Sequence, residues 1–178
     1  MSHAALTSNL TAGASLRREI LPAVVTGQIA GLVMAVVVMA VFTLLGKGPL
    51  FPVQVIGSIA FGDAALAGFH LPALVTGLLV HQSAALLWSL VFALAAARIG
   101  ARTAPAAAGL GVVVGLASQL VDVNLMMPPI MRALHGHDLW ADNVPAHWSW
   151  AAHLVFGLAF ALFPAVASWL SGRRSRGS

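Results

Sequence analysis

Four long apolar segments constrain the fold of this chain more than any other feature of its sequence. A helix needs about 20 mostly apolar residues to cross a bilayer. Segments that reach this length cover residues 21–45, 71–97, 105–127 and 145–170. Only 8% of the residues are charged, whereas a soluble domain has about 25%. The sequence therefore predicts one all-α integral membrane domain over residues 1–178, a transmembrane four-helix bundle, and it excludes a soluble enzyme.

A proline lies at or near the start of each apolar segment. These prolines are Pro22, Pro72, Pro105 and Pro145. Proline is favoured at the first position of a helix, because the N–H that it lacks has no partner there. We therefore expect the four helices to begin at these residues. Pro164 lies inside the fourth segment and predicts a kink or a loosened end there.

The basic residues are divided unequally between the two sides of the predicted bundle. Seven of the nine lie before the first segment, between the second and third, or after the fourth: Arg17, Arg18, Arg98, Arg102, Arg173, Arg174 and Arg176. The other two connections contain only Lys47 and Arg132. Basic residues favour the cytoplasmic side of a membrane protein. Both termini and the short middle connection are therefore predicted to be cytoplasmic.

The two predicted outer connections are longer than the inner one. The first contains a short apolar stretch at residues 51–61, which cannot span a bilayer and predicts an interfacial or re-entrant helix. The second, residues 127–144, contains His135, His137 and Asp138. We expect any functional surface to be on this outer side.

Three ionisable residues of the apolar segments share a helix face with small residues: His81, Asp122 and His153. His81 stands midway between Gly77 and Ala85. Asp122 continues the line of Gly111, Gly115 and Ser118, and His153 lies one turn before Gly157. Small residues allow helices in lipid to approach closely. Counted from the outer helix ends, the three lie roughly 8–13 Å deep. We therefore expect them to meet in the outer half of the bundle.

This predicted cluster has three interpretations. Asp122 could hydrogen-bond one histidine and only hold the helices together, since ionisable groups in a membrane are costly unless paired. The cluster could instead handle protons or a quinone, because histidine titrates near neutral pH. It could also bind haem b or a metal ion, because imidazoles on facing helices bind haem and two histidines with a carboxylate form a known metal triad. The sequence leaves all three open.

The second outer connection and its flanks contain a separate candidate metal site. Its thioether and imidazole side chains are Met126, Met131, His135, His137 and His147. Such ligands suit copper, and the His-x-His step is a plausible chelate. The alternative interpretation is that the methionines end a helix and the histidines are solvated loop residues.

The sequence carries no signature of catalysis. It has no P-loop, no His-Glu-x-x-His motif and no nucleophile elbow. Its lack of cysteine excludes thiolate chemistry. The basic residues lie at predicted membrane boundaries, which does not indicate nucleic-acid binding. We therefore expect no catalytic residue, and membrane lipid as the surrounding partner.

Three short patterns are similar to those of a known group of membrane proteins. They are His81 followed by Trp88-Ser-Leu-Val-Phe92, the step Met126-Met127-Pro128, and Ala152-His153-Leu-Val-Phe-Gly157. With the glycine-rich first segment, they resemble the small four-helix bacterial inner-membrane proteins that include the YagU-like group. The resemblance covers nearly the whole chain. It implies a helical bundle in a bacterial inner membrane and supplies no activity, substrate or catalytic residue.

We hypothesise that the chain is a non-catalytic subunit or scaffold of a larger membrane complex, such as a respiratory one. Its partners would be other membrane subunits or a second copy of itself. One alternative is a haem- or copper-binding membrane protein that uses His81, Asp122 and His153. Another is a small oligomeric transporter or proton-linked permeability factor, which needs more than one copy because four helices seldom enclose a pathway.

Overall fold

The computed structural model describes the backbone of residues 3–174 and the side chains of residues 18–172. Every regular element in this part of the chain is helical. The α-helices are α1 (His3–Leu44), α2 (Phe51–Phe61), α3 (Leu71–Ile99), α4 (Ala104–Ser118), α5 (Met127–His135), α6 (Leu139–Asn143), α7 (Ala146–Leu158) and α8 (Phe163–Arg174). A π-helical segment (Gln119–Met126) joins α4 to α5, and 3₁₀ turns cover Gly62–Ala65 and Ala159–Leu162. The side chains of Arg17, Arg173, Arg174 and Arg176, used in the orientation argument, lie outside the described residues.

Four helical stretches are long and apolar enough to cross a membrane. They are Arg18–Leu44, Leu71–Ile99, Ala104–His135 and Ala146–Gly172. The predictions of an all-α fold and of four helices long and apolar enough to span a membrane are therefore confirmed. The predicted short helix is also present, as α2.

Three helices begin at or next to a proline, and side-chain caps support two of these starts. Pro72 is in the first turn of α3, where the His70 Nδ1 accepts a hydrogen bond from the Ala73 N–H at 3.1 Å. Pro105 has the same place in α4, which Thr103 caps. Pro145 is the N-cap residue of α7. These starts agree with the prediction from the proline positions.

The first helix begins earlier than predicted. Helix α1 starts at His3, so Pro22 lies in its interior rather than in its first turn. The residues just before Pro22 include the good helix formers Leu16, Arg17 and Arg18, which favour continuation through the proline. The Thr26 hydroxyl donates a 2.7 Å hydrogen bond to the Pro22 carbonyl, one turn further on.

The third spanning helix ends later than predicted. Helical structure continues past Met127 to His135 through the π-helical segment and α5, so His135 is a helical residue and not a loop residue. The Met127 N–H bonds to the Asp122 carbonyl, five residues back. This wider turn comes directly before Pro128 and Pro129, which fall in the first turn of α5 where no N–H is required. The register change therefore lets the helix pass two prolines.

The fourth span is interrupted where Pro164 predicted a break. Helix α7 ends at Leu158, a 3₁₀ turn follows, and Pro164 lies in the first turn of α8.

Glycines bring the helices into direct backbone contact. Gly27 of α1 packs on Ser89 of α3, and Gly111 of α4 packs on Gly157 of α7. A Cβ at any of these glycines would overlap atoms of the neighbouring helix. Small residues thus set the helix spacing, as expected for a bundle in lipid.

Helix α2 packs antiparallel to the first turns of α3. Its Gly57 contacts Ala73, and Gly77 of α3 contacts Val53. Six of the eleven residues of α2 are buried, and Val55 packs in a cluster with Phe42 of α1 and Val144. The apolar residues of α2 therefore form one wall of the bundle near the N-terminal end of α3.

Candidate functional site

His81 links α3 to α1. Its Nε2–H donates a 2.9 Å hydrogen bond to the Gly31 carbonyl oxygen. Because a carbonyl only accepts, the proton of the neutral ring is on Nε2, and Nδ1 is left as an acceptor. The side chain is half-buried at the point where α1 and α3 approach each other through Gly31 and Ala85.

Asp122 lies in the π-helical segment and is bound to α3. Its Oδ2 accepts a 2.7 Å hydrogen bond from the Trp88 indole Nε1–H. The carboxylate is half-buried, and its Oδ1 has no hydrogen-bond partner within the described residues. Single-turn π insertions in helices are frequent at functional sites, which makes the position of Asp122 in this segment notable.

His153 is the most buried of the three, with 8% of its surface exposed. Its Nδ1–H donates a 2.9 Å hydrogen bond to the Ser149 carbonyl, one turn earlier in α7. Among the residues that the structure describes, nothing bonds to Nε2. In the neutral ring, this second nitrogen is therefore an unoccupied acceptor.

The three side chains line the same space between the helices. A small cavity is lined by all three together with Met34, Ala84, Ala85, Trp88, Ser118 and Phe156. An adjoining cavity of about 220 Å³ is again lined by all three, and its other walls are mostly apolar. We call this larger space the outer cavity, after the side of the membrane that the sequence predicts for it. The structure thus brings together His81, Asp122 and His153; their use as a cofactor site stays a prediction.

The sequence patterns place Gln119 near the three ionisable residues, but they do not predict two sets of hydrogen bonds found there. In the first, Trp88 is the hydrogen-bond partner of Asp122. A signal was present: Trp88 follows His81 by seven residues and so lies on the same helix face. The second set is a chain of hydrogen bonds in which the Ser149 hydroxyl donates to Gln119 at 2.7 Å and the Gln119 amide donates to Asn124 at 2.8 Å. This chain joins α7 to the π-helical segment.

The five residues of the predicted copper site have separate environments. The His135 Nε2–H donates to the Ile59 carbonyl at 3.0 Å. Met131 is buried, and its sulfur accepts the Trp140 N–H at 3.3 Å. Met126 is half-exposed, and His147 is exposed beside the Trp148 ring. Across the described part of the chain, no three His, Asp, Glu or Cys side chains are arranged to hold a metal ion. Copper binding stays a prediction.

His137, the remaining member of that set, is half-exposed and joins two acidic residues. Its Nδ1 is 2.7 Å from the Asp142 carboxylate, and its Nε2 is 3.2 Å from that of Asp63. The hydrogen bond to Asp142, followed by the one to Asp63, raises the pKa of His137 above its ordinary value. Asp63 follows α2 and Asp142 belongs to α6, so this triad fastens the end of α2 to the second outer connection.

Comparison with known proteins yields no relative for this chain. The resemblance to the YagU-like group therefore stays a prediction. No protein-family model, curated protein or solved structure matches the chain.

Proposed function

We propose that this chain is a non-catalytic membrane subunit whose outer cavity binds a small apolar molecule with a hydroxyl head group, such as a quinol or another phenol. One observation carries the proposal. Three ionisable side chains from three separate helical elements line a single cavity whose remaining walls are mostly apolar. Pockets for small molecules commonly have this composition, apolar walls with a few convergent polar groups.

The size and walls of the outer cavity favour a ring-sized ligand. An apolar cavity of about 150 Å³ accepts benzene, and the outer cavity has about 220 Å³. Its apolar lining comes from α2, α3, the π-helical segment and α5, and includes Ile56, Ile59, Val80, Val123 and Ile130. A substituted aromatic ring fits this volume and these walls.

The hydrogen-bonding state of the three polar residues favours a ligand that donates. The His81 Nε2–H and the His153 Nδ1–H are already used in bonds to backbone carbonyls. Their other ring nitrogens are acceptors in the neutral form. The second oxygen of Asp122 is an acceptor as well, since Oδ2 takes the Trp88 N–H. A hydroxyl group satisfies such atoms, whereas an ether or a carbonyl does not.

A binding titration tests the ligand class. Purified protein in lipid nanodiscs is titrated with trimethylhydroquinone and, in parallel, with its dimethyl ether, which has the same ring but no donor. Trp88 and Trp140 line the cavities, so their fluorescence reports binding. We expect saturable binding of the hydroquinone and at least tenfold weaker binding of the ether. Equal affinity for both would overturn the donor requirement.

A pair of variants tests the location of binding. Ala84 lines both the small and the outer cavity, so Ala84→Leu fills the space. The neighbouring Ser83 is exposed, and Ser83→Leu adds a leucine at the same depth outside the cavity. We expect hydroquinone binding to be lost only in Ala84→Leu. Retained binding in that variant, or a stoichiometric haem or copper ion in the purified protein, would contradict the proposal.

The same proposal places the chain in a bacterial inner membrane with both termini cytoplasmic and α2 at the outer interface. Its support is the distribution of arginines along the chain and the many large apolar side chains exposed on the spanning helices, such as Val36, Leu79 and Val113. Such side chains suit lipid or another membrane helix.

Purification in mild detergent tests the subunit role: a free monomer with no co-purifying chain would contradict it.

A further inference from the structure

A second cavity lies at the opposite end of the bundle from the outer cavity. It is bounded by the start of the first spanning stretch, the connection between α3 and α4, and α8. Its lining comprises Arg18, Glu19, Pro22, Arg102, Phe163, Pro164, Ala167, Ser168, Leu170 and Ser171. Its volume is about 510 Å³, more than twice that of the outer cavity. We call it the arginine cavity.

The two arginines of this cavity come from different parts of the chain, and both guanidinium groups are available to bind a ligand. Within the described residues, neither the Arg18 nor the Arg102 guanidinium has an ion-pair or hydrogen-bond partner. Glu19 is the single acidic residue of the lining, so the charged side chains leave the cavity with a net positive charge. The planar guanidinium group matches the oxygens of a phosphate in a two-point contact.

The serine hydroxyls of the cavity are not available as hydrogen-bond donors to an anion. The Ser168 hydroxyl donates to the Ala165 carbonyl, and the Ser171 hydroxyl donates to the Ser168 carbonyl, each at 2.8 Å. Their protons are therefore used within α8. The arginines are the donors left for an anion.

The rest of the lining is apolar, which indicates that the bound anion belongs to a molecule with an apolar part. Pro164, Ala167 and Leu170 are only partly buried; they offer no hydrogen bond to a small hydrated ion, but they can contact an acyl chain or a glycerol backbone. Basic pockets between membrane helices commonly bind the head groups of anionic lipids. We propose that the arginine cavity binds the phosphate of an anionic phospholipid, with Arg18 and Arg102 as its ligands and α8 as the wall along the lipid.

Lipid binding by variants of the full chain tests this site. Native mass spectrometry of detergent-solubilised protein measures the apparent Kd for added phosphatidylglycerol and for phosphatidylcholine. We expect Arg18→Gln and Arg102→Gln each to weaken phosphatidylglycerol binding about fivefold, the change that corresponds to one basic residue near an anionic head group. Arg98→Gln removes the same charge from the end of α3, outside the cavity lining, and should leave the affinity unchanged.

Three results would overturn the assignment. If Arg98→Gln weakened phosphatidylglycerol binding as much as Arg102→Gln does, the lipid would be attracted by the surface charge in general and not by a site. Equal affinity for the two lipids in the unaltered protein would remove the requirement for an anionic lipid. Displacement of the bound lipid by millimolar inorganic phosphate would assign the arginines to free phosphate. A thermal unfolding midpoint close to that of the parent shows that the glutamine variants are folded and that any loss belongs to the site.

Discussion

The indole Nε1–H of Trp88 donates a 2.7 Å hydrogen bond to the Oδ2 of Asp122, and this bond joins α3 to the π-helical segment. Both residues also line the small cavity with His81 and His153. The bond therefore does two things. It satisfies one oxygen of a half-buried carboxylate, and it leaves the other oxygen as an acceptor in the cavity.

Loss of this bond should weaken the contact between α3 and the π-helical segment. Trp88→Phe removes the donor and is expected to lower the free energy of unfolding by about 1–2 kcal/mol, the range for hydrogen bonds between helices in model membrane peptides. Reversible unfolding in mixed detergent micelles measures the change. Trp150→Phe is the control for loss of ring size, since its indole has no hydrogen bond within the described residues. Similar losses in both variants would contradict a specific role for the bond.

The contact between α4 and α7 depends on the absence of a side chain at Gly111. A Cβ at this position would overlap the Gly157 carbonyl and lie 2.7 Å from the Phe160 Cβ. Gly111→Ala is therefore expected to destabilise the protein by about 1–3 kcal/mol, as overpacking does.

The matched control for this prediction lies on the same helix. A Cβ at Gly109 meets nothing within 4 Å, so Gly109→Ala should be neutral or stabilise by up to about 1 kcal/mol through helix propensity. Thermal unfolding in one detergent compares the two. A destabilised Gly109→Ala with an unaffected Gly111→Ala would show that the helices do not meet as described.

The hydrogen bonds of His137 to Asp142 and Asp63 join α6 to the end of α2, and we expect their contribution to stability to depend on pH. Because hydrogen bonds to the carboxylates raise the pKa of His137 above 6.5, the charged form is favoured in the folded protein. The resulting stability is fully present below the ordinary pKa and is lost as the pH rises through the raised pKa. Titration of the ring protons by NMR should place the pKa of His137 above 6.5.

Variants of the two carboxylates separate their contributions to this pKa. Asp142→Asn should lower the pKa of His137 more than Asp63→Asn does, because Asp142 makes the shorter hydrogen bond, 2.7 Å against 3.2 Å. The reverse order, or a pKa of His137 that neither substitution changes, would contradict this geometry.

The proposed orientation can be measured directly because the chain has no cysteine. Ala67 and Ile99 are both exposed and lie at opposite ends of α3: Ala67 is in the connection before this helix, and Ile99 is its last residue. With cytoplasmic termini, an impermeant maleimide should label Ala67→Cys in intact spheroplasts and Ile99→Cys only after permeabilisation. The opposite pattern would invert the topology.

Three helix starts could be predicted from the sequence, and so could the helix face that each polar residue shares with small residues. Both depend only on residues close together in the chain. Pro72, Pro105 and Pro145 mark three helix starts, since proline is tolerated where no N–H is needed. Pro22 is the exception, because a helix with strong formers before the proline can lose one hydrogen bond and continue. Local patterns thus indicate where a helix can begin, but neighbouring residues decide whether it begins there.

Four apolar helices follow from the sequence, and so does the position of His81, Asp122 and His153 on the small-residue face of their own helices, because hydropathy and side-chain spacing are properties of a single helix. The atoms that these residues use depend on how the helices pack together. Trp88 binds Asp122, Gly31 binds His81 and Ile59 binds His135 across 34, 50 and 76 residues of sequence. Such pairs arise when glycine contacts fix how deeply one helix sits against another. That depth depends on both partners at once, and no periodicity within either helix encodes it.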